Sequence, residues 1–291
     1  MGKDTKIEWT HHTLNFWWGC VKVSPGCDNC YAETLAKRFG HDIWGTGKPR
    51  LIIKSAWNKA LAWNEEAKRD GVRRRVFCQS MSDFFELFNY NRHGDELNAL
   101  RSRVLYDLIP ATPNLDWLLL TKRIGNVRKM VPFRWDIDFF PRNVWLGISV
   151  VNQEEADRDI PKLLHLPVSR RFLSIEPMLE PIDLKREYGY CLACHRDVVE
   201  ADPCPYCGDP RVRWRNSRLI DVDWVICGGE SGSHARPMNP EWARSLRDEC
   251  KSAEVPFFFK QGSQTPEWGN YKDFDTFPLD LQVREFPEEI L

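Results

Sequence analysis

Asp116-Trp117-Leu118-Leu119-Leu120-Thr121-Lys122-Arg123 reads as a short apolar strand that releases a polar cluster at its C-terminal end. The pattern recurs along the chain at Thr13–Trp18, Arg75–Ser80, Asn143–Val150, Arg171–Ile175, Asp223–Cys227 and Val255–Lys260. These near-continuous apolar runs are what parallel strands buried on both faces require. Helical periodicity lies between several of them, over Ala56–Arg69, Asp95–Leu108, Gln153–Leu164 and Pro240–Ser252. The alternation predicts an α/β fold with a parallel sheet. The strand ends choose between its two forms. Ser80-Met81-Ser82-Asp83, Thr121-Lys122-Arg123, Gly147-Ile148-Ser149, Ser174-Ile175-Glu176-Pro177, Gly228-Gly229-Glu230-Ser231-Gly232 and Lys260-Gln261 are all polar and all in phase. A β/α barrel gathers its functional groups at that face, whereas a doubly wound sheet concentrates them at one switch point. The expectation is a partial or complete parallel β/α barrel.

The length of 291 residues suits one large domain or a domain with an insert, and the 42% of apolar residues is enough for a full core. No run has the apolar length of a membrane span, so no membrane association is expected. The formal net charge of −1 points to no polyanion partner by itself, although Arg73-Arg74-Arg75, Arg170-Arg171 and the group Arg211, Arg213, Arg215 and Arg218 form local basic patches. The polar, charged start Met1–Glu8 does not resemble a signal peptide. Ten cysteines without a secretory signal imply a reducing, cytoplasmic setting and metal or catalytic use of the thiols.

Three of those cysteines lie in one loop, Gly19-Cys20-Val21-Lys22-Val23-Ser24-Pro25-Gly26-Cys27-Asp28-Asn29-Cys30-Tyr31. The loop follows the first predicted strand and precedes a helical stretch, Ala32–Phe39, so it belongs on the same rim as the other polar clusters. Three thiolates are an incomplete set. A structural zinc takes four protein ligands, and a four-iron cluster is usually held by four cysteines. A cluster held by Cys20, Cys27 and Cys30 keeps one iron open for a substrate or cofactor. The alternatives are a zinc completed by His11 or His12, and ordinary free thiols.

A second group breaks the strand–helix alternation. Cys191-Leu192-Ala193-Cys194 and Cys204-Pro205-Tyr206-Cys207-Gly208 are two C-x-x-C pairs with a short spacer. That spacing indicates a zinc ribbon or knuckle with Cys191, Cys194, Cys204 and Cys207 as ligands. Residues 186–216 are therefore expected to form a zinc-binding insert between the barrel segments 1–185 and 217–291. The insert leaves from a strand's C-terminal end, which predicts that it overhangs the rim. Its arginines, interleaved with Trp214, suit phosphate contact and base stacking on DNA or RNA; pairing with Asp209, Asp221 and Asp223 is the alternative.

A strand running into a loop of three cysteines, the last two spaced C-x-x-C and followed by Tyr31, resembles the radical S-adenosylmethionine enzymes. The spacer of six residues between Cys20 and Cys27 is longer than the usual three, and Asn29 stands where a hydrophobic or aromatic residue is usual. The segments Ile7-Glu8-Trp9-Thr10, Ser80-Met81-Ser82-Asp83, Leu120-Thr121-Lys122-Arg123, Asn143-Val144-Trp145-Leu146-Gly147, Phe172-Leu173-Ser174-Ile175-Glu176-Pro177 and Gly228-Gly229-Glu230-Ser231-Gly232 are similar to the phage gene-thirty-seven/sixty-eight family, a domain of unknown function. A more distant likeness is to spore photoproduct lyase, a radical enzyme of DNA repair.

The radical-enzyme resemblance implies a 4Fe-4S cluster on Cys20, Cys27 and Cys30, with S-adenosyl-L-methionine on the open iron. It implies a 5′-deoxyadenosyl radical acting on a nucleic acid or nucleobase, and an electron donor such as a flavodoxin or ferredoxin. Ser80, Ser82 and Asp83 stand where the cofactor's amino group is expected. Lys122 and Glu176 are candidates for its carboxylate and ribose, or for substrate; a buried salt bridge is the alternative. Gly228, Gly229 and Glu230 resemble a glycine-rich cofactor turn but follow a different strand, and a structural turn explains them as well. Cys227 and Cys78, at strand ends, are candidate hydrogen-atom donors, with inert packing as the alternative. The competing reading of the whole chain is a zinc protein or a nucleic-acid-binding module with a structural metal.

Overall fold

The computed structural model describes residues 2–88, 91–137, 139–194, 196–199, 203–215 and 218–288. Seven of its strands form one parallel sheet: β1 His12–Leu14, β2 Arg74–Cys78, β3 Leu115–Thr121, β4 Val144–Ser149, β5 Arg170–Ile175, β6 Trp224–Gly228 and β7 Phe257–Gln261. Their order in the sheet follows their order in the chain, β1 to β7. A doubly wound sheet reverses direction at its switch point; this one never does. The winding is that of a partial β/α barrel, with β1 and β7 as open edges rather than a closed ring.

The strand residues explain the burial. Val76, Leu118, Leu119, Leu146, Leu173, Ile226 and Phe258 are all fully buried, as both faces of a covered parallel sheet demand. The connecting helices are α1 Tyr31–Arg38, α2 Ala56–Asp70, α3 Arg92–Arg103, α4 Gln153–Leu164 and α5 Pro240–Ser252. Asn91, Asn152 and Asn239 cap α3, α4 and α5 through their side-chain oxygens. Beyond α3 the chain continues as a wider π turn, Val104–Leu108, which accounts for the longer helical periodicity of the sequence.

The first predicted strand is two elements. Only His12–Leu14 joins the sheet; Trp17–Trp18 turns off and pairs antiparallel with Leu51–Ile52. The break is made by polar side chains. Asn15 accepts from the Met81 amide at 2.8 Å and donates to Ser80 Oγ at 3.1 Å, while Gln79 Oε1 accepts from the Phe16 amide at 2.9 Å. These bonds tie the end of β1 to the end of β2 and redirect the chain toward the cysteine loop.

The chain falls into two compact units. The first comprises Met1–Ser149, Leu166–Arg171 and Ser231–His234; the second comprises Val150–His165, Phe172–Glu230 and Ala235–Leu291. The second carries a separate three-stranded antiparallel sheet, in which Tyr188–Cys191 lies between Asp197–Val199 and Val212–Arg215. This small sheet lies within the bounds 186–216 expected for the insert. Among the described residues no helix is long and apolar enough to cross a membrane.

Candidate active site and metal centre

In the first unit the cysteine loop is held at both ends. Gly19 donates to the Met81 carbonyl at 3.0 Å and has a positive φ of 107°. A Cβ there would lie 2.4 Å from the Ile43 carbonyl oxygen and 2.9 Å from Arg50 Cδ, so only glycine fits before Cys20. Ser24 caps the short turn Pro25–Cys27 by accepting from the Gly26 amide at 3.1 Å. Cys30 stands at the N-cap position of α1, and its carbonyl accepts from the Thr34 amide at 3.1 Å. Tyr31 donates its hydroxyl to the Ser80 carbonyl at 2.8 Å, and Asn29 donates to the His234 carbonyl at 2.8 Å.

Cys20, Cys27 and Cys30 are each partly buried. Burial pushes the Cys20 thiol up to about 12 against the pull of Arg123, and it also raises Cys30. Neither thiol ionises readily by itself, so a bound metal would have to drive deprotonation. Among the described residues the group whose ligand atoms gather within 4.8 Å is Cys191, Cys194, Cys204 and Cys207. A lone zinc, with Zn–S bonds of about 2.3 Å, draws its sulfurs together. A cluster binds each cysteine through a different iron and spreads them.

The histidines proposed as a fourth ligand are elsewhere. His11 Nδ1 accepts from the Arg75 amide at 2.8 Å; His12 accepts from the Asp4 amide and stacks on Trp63. Both lie at the start of β1, and the cysteine loop leaves from its other end.

The end of β2 is a positioning network. Asp83 Oδ1 accepts from Thr121 Oγ1 and the Phe85 amide at 2.8 and 2.9 Å. Its Oδ2 accepts from the Lys122 amide and Arg123 Nη1 at 3.0 and 3.1 Å. Both carboxylate oxygens are thus engaged within the chain. Ser80 Oγ accepts from Asn15, and Ser82 donates to the Trp17 carbonyl. These three side chains brace the cysteine loop. Lys122 donates to the Ser149 hydroxyl, and among the described residues no carboxylate pairs with it. Cys78 is fully buried, and desolvation pushes its thiol far up.

The second unit brings Glu176, Gly228, Gly229 and Glu230 to the C-terminal ends of β5 and β6. Glu176 pairs with Lys260 at 2.9 Å and accepts from Ser174 at 3.2 Å. A Cβ on Gly228 would meet Glu176 Oε1 at 2.7 Å, and one on Gly229 would meet the Ser263 amide nitrogen at 2.3 Å. Close chain packing therefore accounts for both glycines. The Glu230 carboxylate accepts from the Arg236 amide, Nε and Nη2 at 2.8, 3.0 and 2.6 Å, so this acid is also engaged within the chain. Cys227 is fully buried, 3.8 Å from Met178 Sδ, and burial raises its thiol well above the ordinary range.

The four-cysteine group is one that could hold a metal ion. Cys191 and Cys207 lie 3.6 Å apart, as do Cys194 and Cys204, and Cys191, Val198 and Cys204 form the buried centre of the small sheet. Its place differs from the expected overhang. The chain leaving β5 runs down α4: Glu180 and Asp183 meet Gln153 at the start of the helix, Arg186 pairs with Asp157 at 2.9 Å, and Asp197 and Tyr190 meet His165 just past its end. Because α4 runs back from strand C-termini to strand N-termini, the insert ends at the pole opposite Glu176 and Glu230. A series of polar pairs on the helix surface carries it there. Arg211 is bidentate to Asp209, whose carboxyl falls to about 2 through those hydrogen bonds. The side chains of Trp214, Arg215 and Arg218 lie outside the described residues.

The residue that sequence reading passed over is Arg123. It stood in the Thr121-Lys122-Arg123 cluster, but its neighbour Lys122 drew the functional role. Its guanidinium lies 3.7 Å from Cys20 Sγ, 2.7 Å from the Val21 carbonyl and 3.1 Å from Asp83.

A family model described as a protein of unknown function, DUF5131, matches residues 4–282, and the chain belongs to that family. No curated protein and no solved structure matches the chain. These comparisons contain nothing that ties it to radical S-adenosylmethionine enzymes, to spore photoproduct lyase or to phages.

Proposed function

We propose that this DUF5131 member is a radical S-adenosylmethionine iron–sulfur enzyme that modifies or repairs a nucleic acid or nucleobase. The observation that carries the reading is the cysteine loop itself. Cys20, Cys27 and Cys30 lie in one loop that follows the first parallel strand and the short Trp17–Trp18 strand, and all three are partly buried. The three thiolates suit a 4Fe-4S cluster with one open iron, and that cluster, with S-adenosyl-L-methionine, would supply a 5′-deoxyadenosyl radical. Arg123 reaches Cys20, so the chain offers a donor to the negative charge that such a centre brings. Lys122, at the next strand end, is the cation suited to a carboxylate. Burial favours inert packing for Cys78 and Cys227 over hydrogen-atom donation. The nucleobase assignment rests on the sequence likeness, and the electron donor would be a flavodoxin or ferredoxin.

Anaerobic reconstitution tests this. The expected protein is brown, carries about four irons at the loop, loses its absorbance on Cys27→Ala, and forms 5′-deoxyadenosine with dithionite. Zinc and no iron at the loop would overturn the reading.

The four-cysteine group favours a second, compatible assignment: a structural zinc in the insert, where sulfurs already lie at single-ion spacing. If that were the chain's only metal, a zinc-stabilised binding module would replace the enzyme. Oligonucleotide binding across a salt series, with no 5′-deoxyadenosine formed, would support that outcome.

A further inference from the structure

We infer that Arg123 is a positioning residue that clamps the Cys20 end of the loop and sets the reduction potential of the centre held there; this rests on the cluster reading above. The guanidinium makes three contacts with different meanings. Nη2 donates to the Val21 carbonyl at 2.7 Å, which fixes the backbone one residue beyond Cys20. Nη1 lies 3.1 Å from Asp83 Oδ2 and 3.7 Å from Cys20 Sγ. Asp83 is itself held by Thr121 Oγ1 and the Lys122 amide, and Thr121 Oγ1 also accepts from the Arg123 amide at 2.8 Å. The chain from β3 through Asp83 to Arg123 therefore aims one guanidinium at one of the three loop sulfurs.

The Arg123 side chain is only 11% exposed and that of Asp83 8%, so solvent screens the charge poorly. Reduction adds negative charge to an iron–sulfur centre. A fixed N–H donor beside a ligand sulfur, on a guanidinium whose charge Asp83 offsets in part, stabilises that reduced state and raises its potential. A loop staple needs only the bond to Val21; the bond to sulfur is what sets a potential.

The test compares wild type, Arg123→Lys and Arg123→Met, each reconstituted anaerobically with iron and sulfide. Folding is followed by circular dichroism, metal by iron and sulfide analysis, and potential by dithionite titration read by electron paramagnetic resonance. Arg123→Met is expected to fold and to shift the couple negative. At a fixed poise its reduced-to-oxidised ratio falls at least tenfold, which is about 59 mV for one electron. Arg123→Lys, which keeps the charge, falls between the two. If folded Arg123→Met loses the cluster and Arg123→Lys retains it at a lowered potential, the inference stands. Equal loading and equal potential in all three proteins would overturn it, as would loss of the cluster from both folded variants. No iron in wild type would instead refute the cluster reading itself.

Discussion

Replacing Gly19 by alanine puts a methyl group where the cysteine loop has no room. The new Cβ would stand 2.4 Å from the Ile43 carbonyl oxygen, a backbone atom, and 2.9 Å from Arg50 Cδ. Arg50 cannot swing aside cheaply. It is bidentate to buried Glu86 and donates to the Ile43 and Lys48 carbonyls. The backbone at φ 107° adds its own cost, about 1–2 kcal/mol for a residue with a Cβ. Overpacking adds about 1–3 kcal/mol. The sum is about 2–5 kcal/mol, or a fall in melting temperature of about 4–20 °C at about 2–4 °C per kcal/mol. Gly71→Ala is the internal control: φ is 67° at the end of α2, and nothing lies within 4 Å of the added Cβ. It carries only the backbone cost, about 1–2 kcal/mol. Urea unfolding of both variants, followed by far-ultraviolet circular dichroism, separates the two contributions. If Gly19→Ala is no less stable than Gly71→Ala, the close approach of Ile43 and Arg50 does not constrain the loop.

Cys204→Ser should release one metal per chain and speed amide exchange over residues 188–215 while β5, β6 and β7 keep their protection; deprotection of β6 would show that the small sheet is part of the main core. Stability should fall with pH between about 6.5 and about 4, because burial and the Arg75 and Arg74 charges depress His11 in the folded state. The unfolded chain then binds the proton first as pH drops, so acid favours unfolding. His11→Asn, which keeps an acceptor for the Arg75 amide, should flatten that slope in urea titrations, and an unchanged slope would remove His11 as its source.

The strands and most helices were legible because their signals are local. Apolar runs mark β2 to β7 to within about two residues, and α4 and α5 match their predicted bounds. The first strand was overextended because Asn15 is a small interruption in an apolar run, and its effect comes through partners at Ser80 and Met81, with Gln79 taking the next amide, Phe16, all more than sixty residues away. The two cysteine groups were visible as spacing. What spacing could not show is saturation. Asp83 and Glu230 look like free strand-end acids until Thr121, Arg123 and Arg236 are placed against them. The insert's position was hidden for a similar reason. Asp157, Arg186, His165 and Asp197 are common surface residues, and only the fold turns them into a track along α4.

The small sheet has a property that bears on how such a chain can be diversified. Tyr188, where it begins, pairs directly with Arg215, where it ends. The excursion returns to its point of departure, so the flanking backbone meets the same boundary whatever lies between. Such a junction behaves as a socket. Cassettes of other lengths, with or without metal ligands, can be exchanged there at little loop-closure cost, which makes it the natural place to graft a tag or an alternative recognition element.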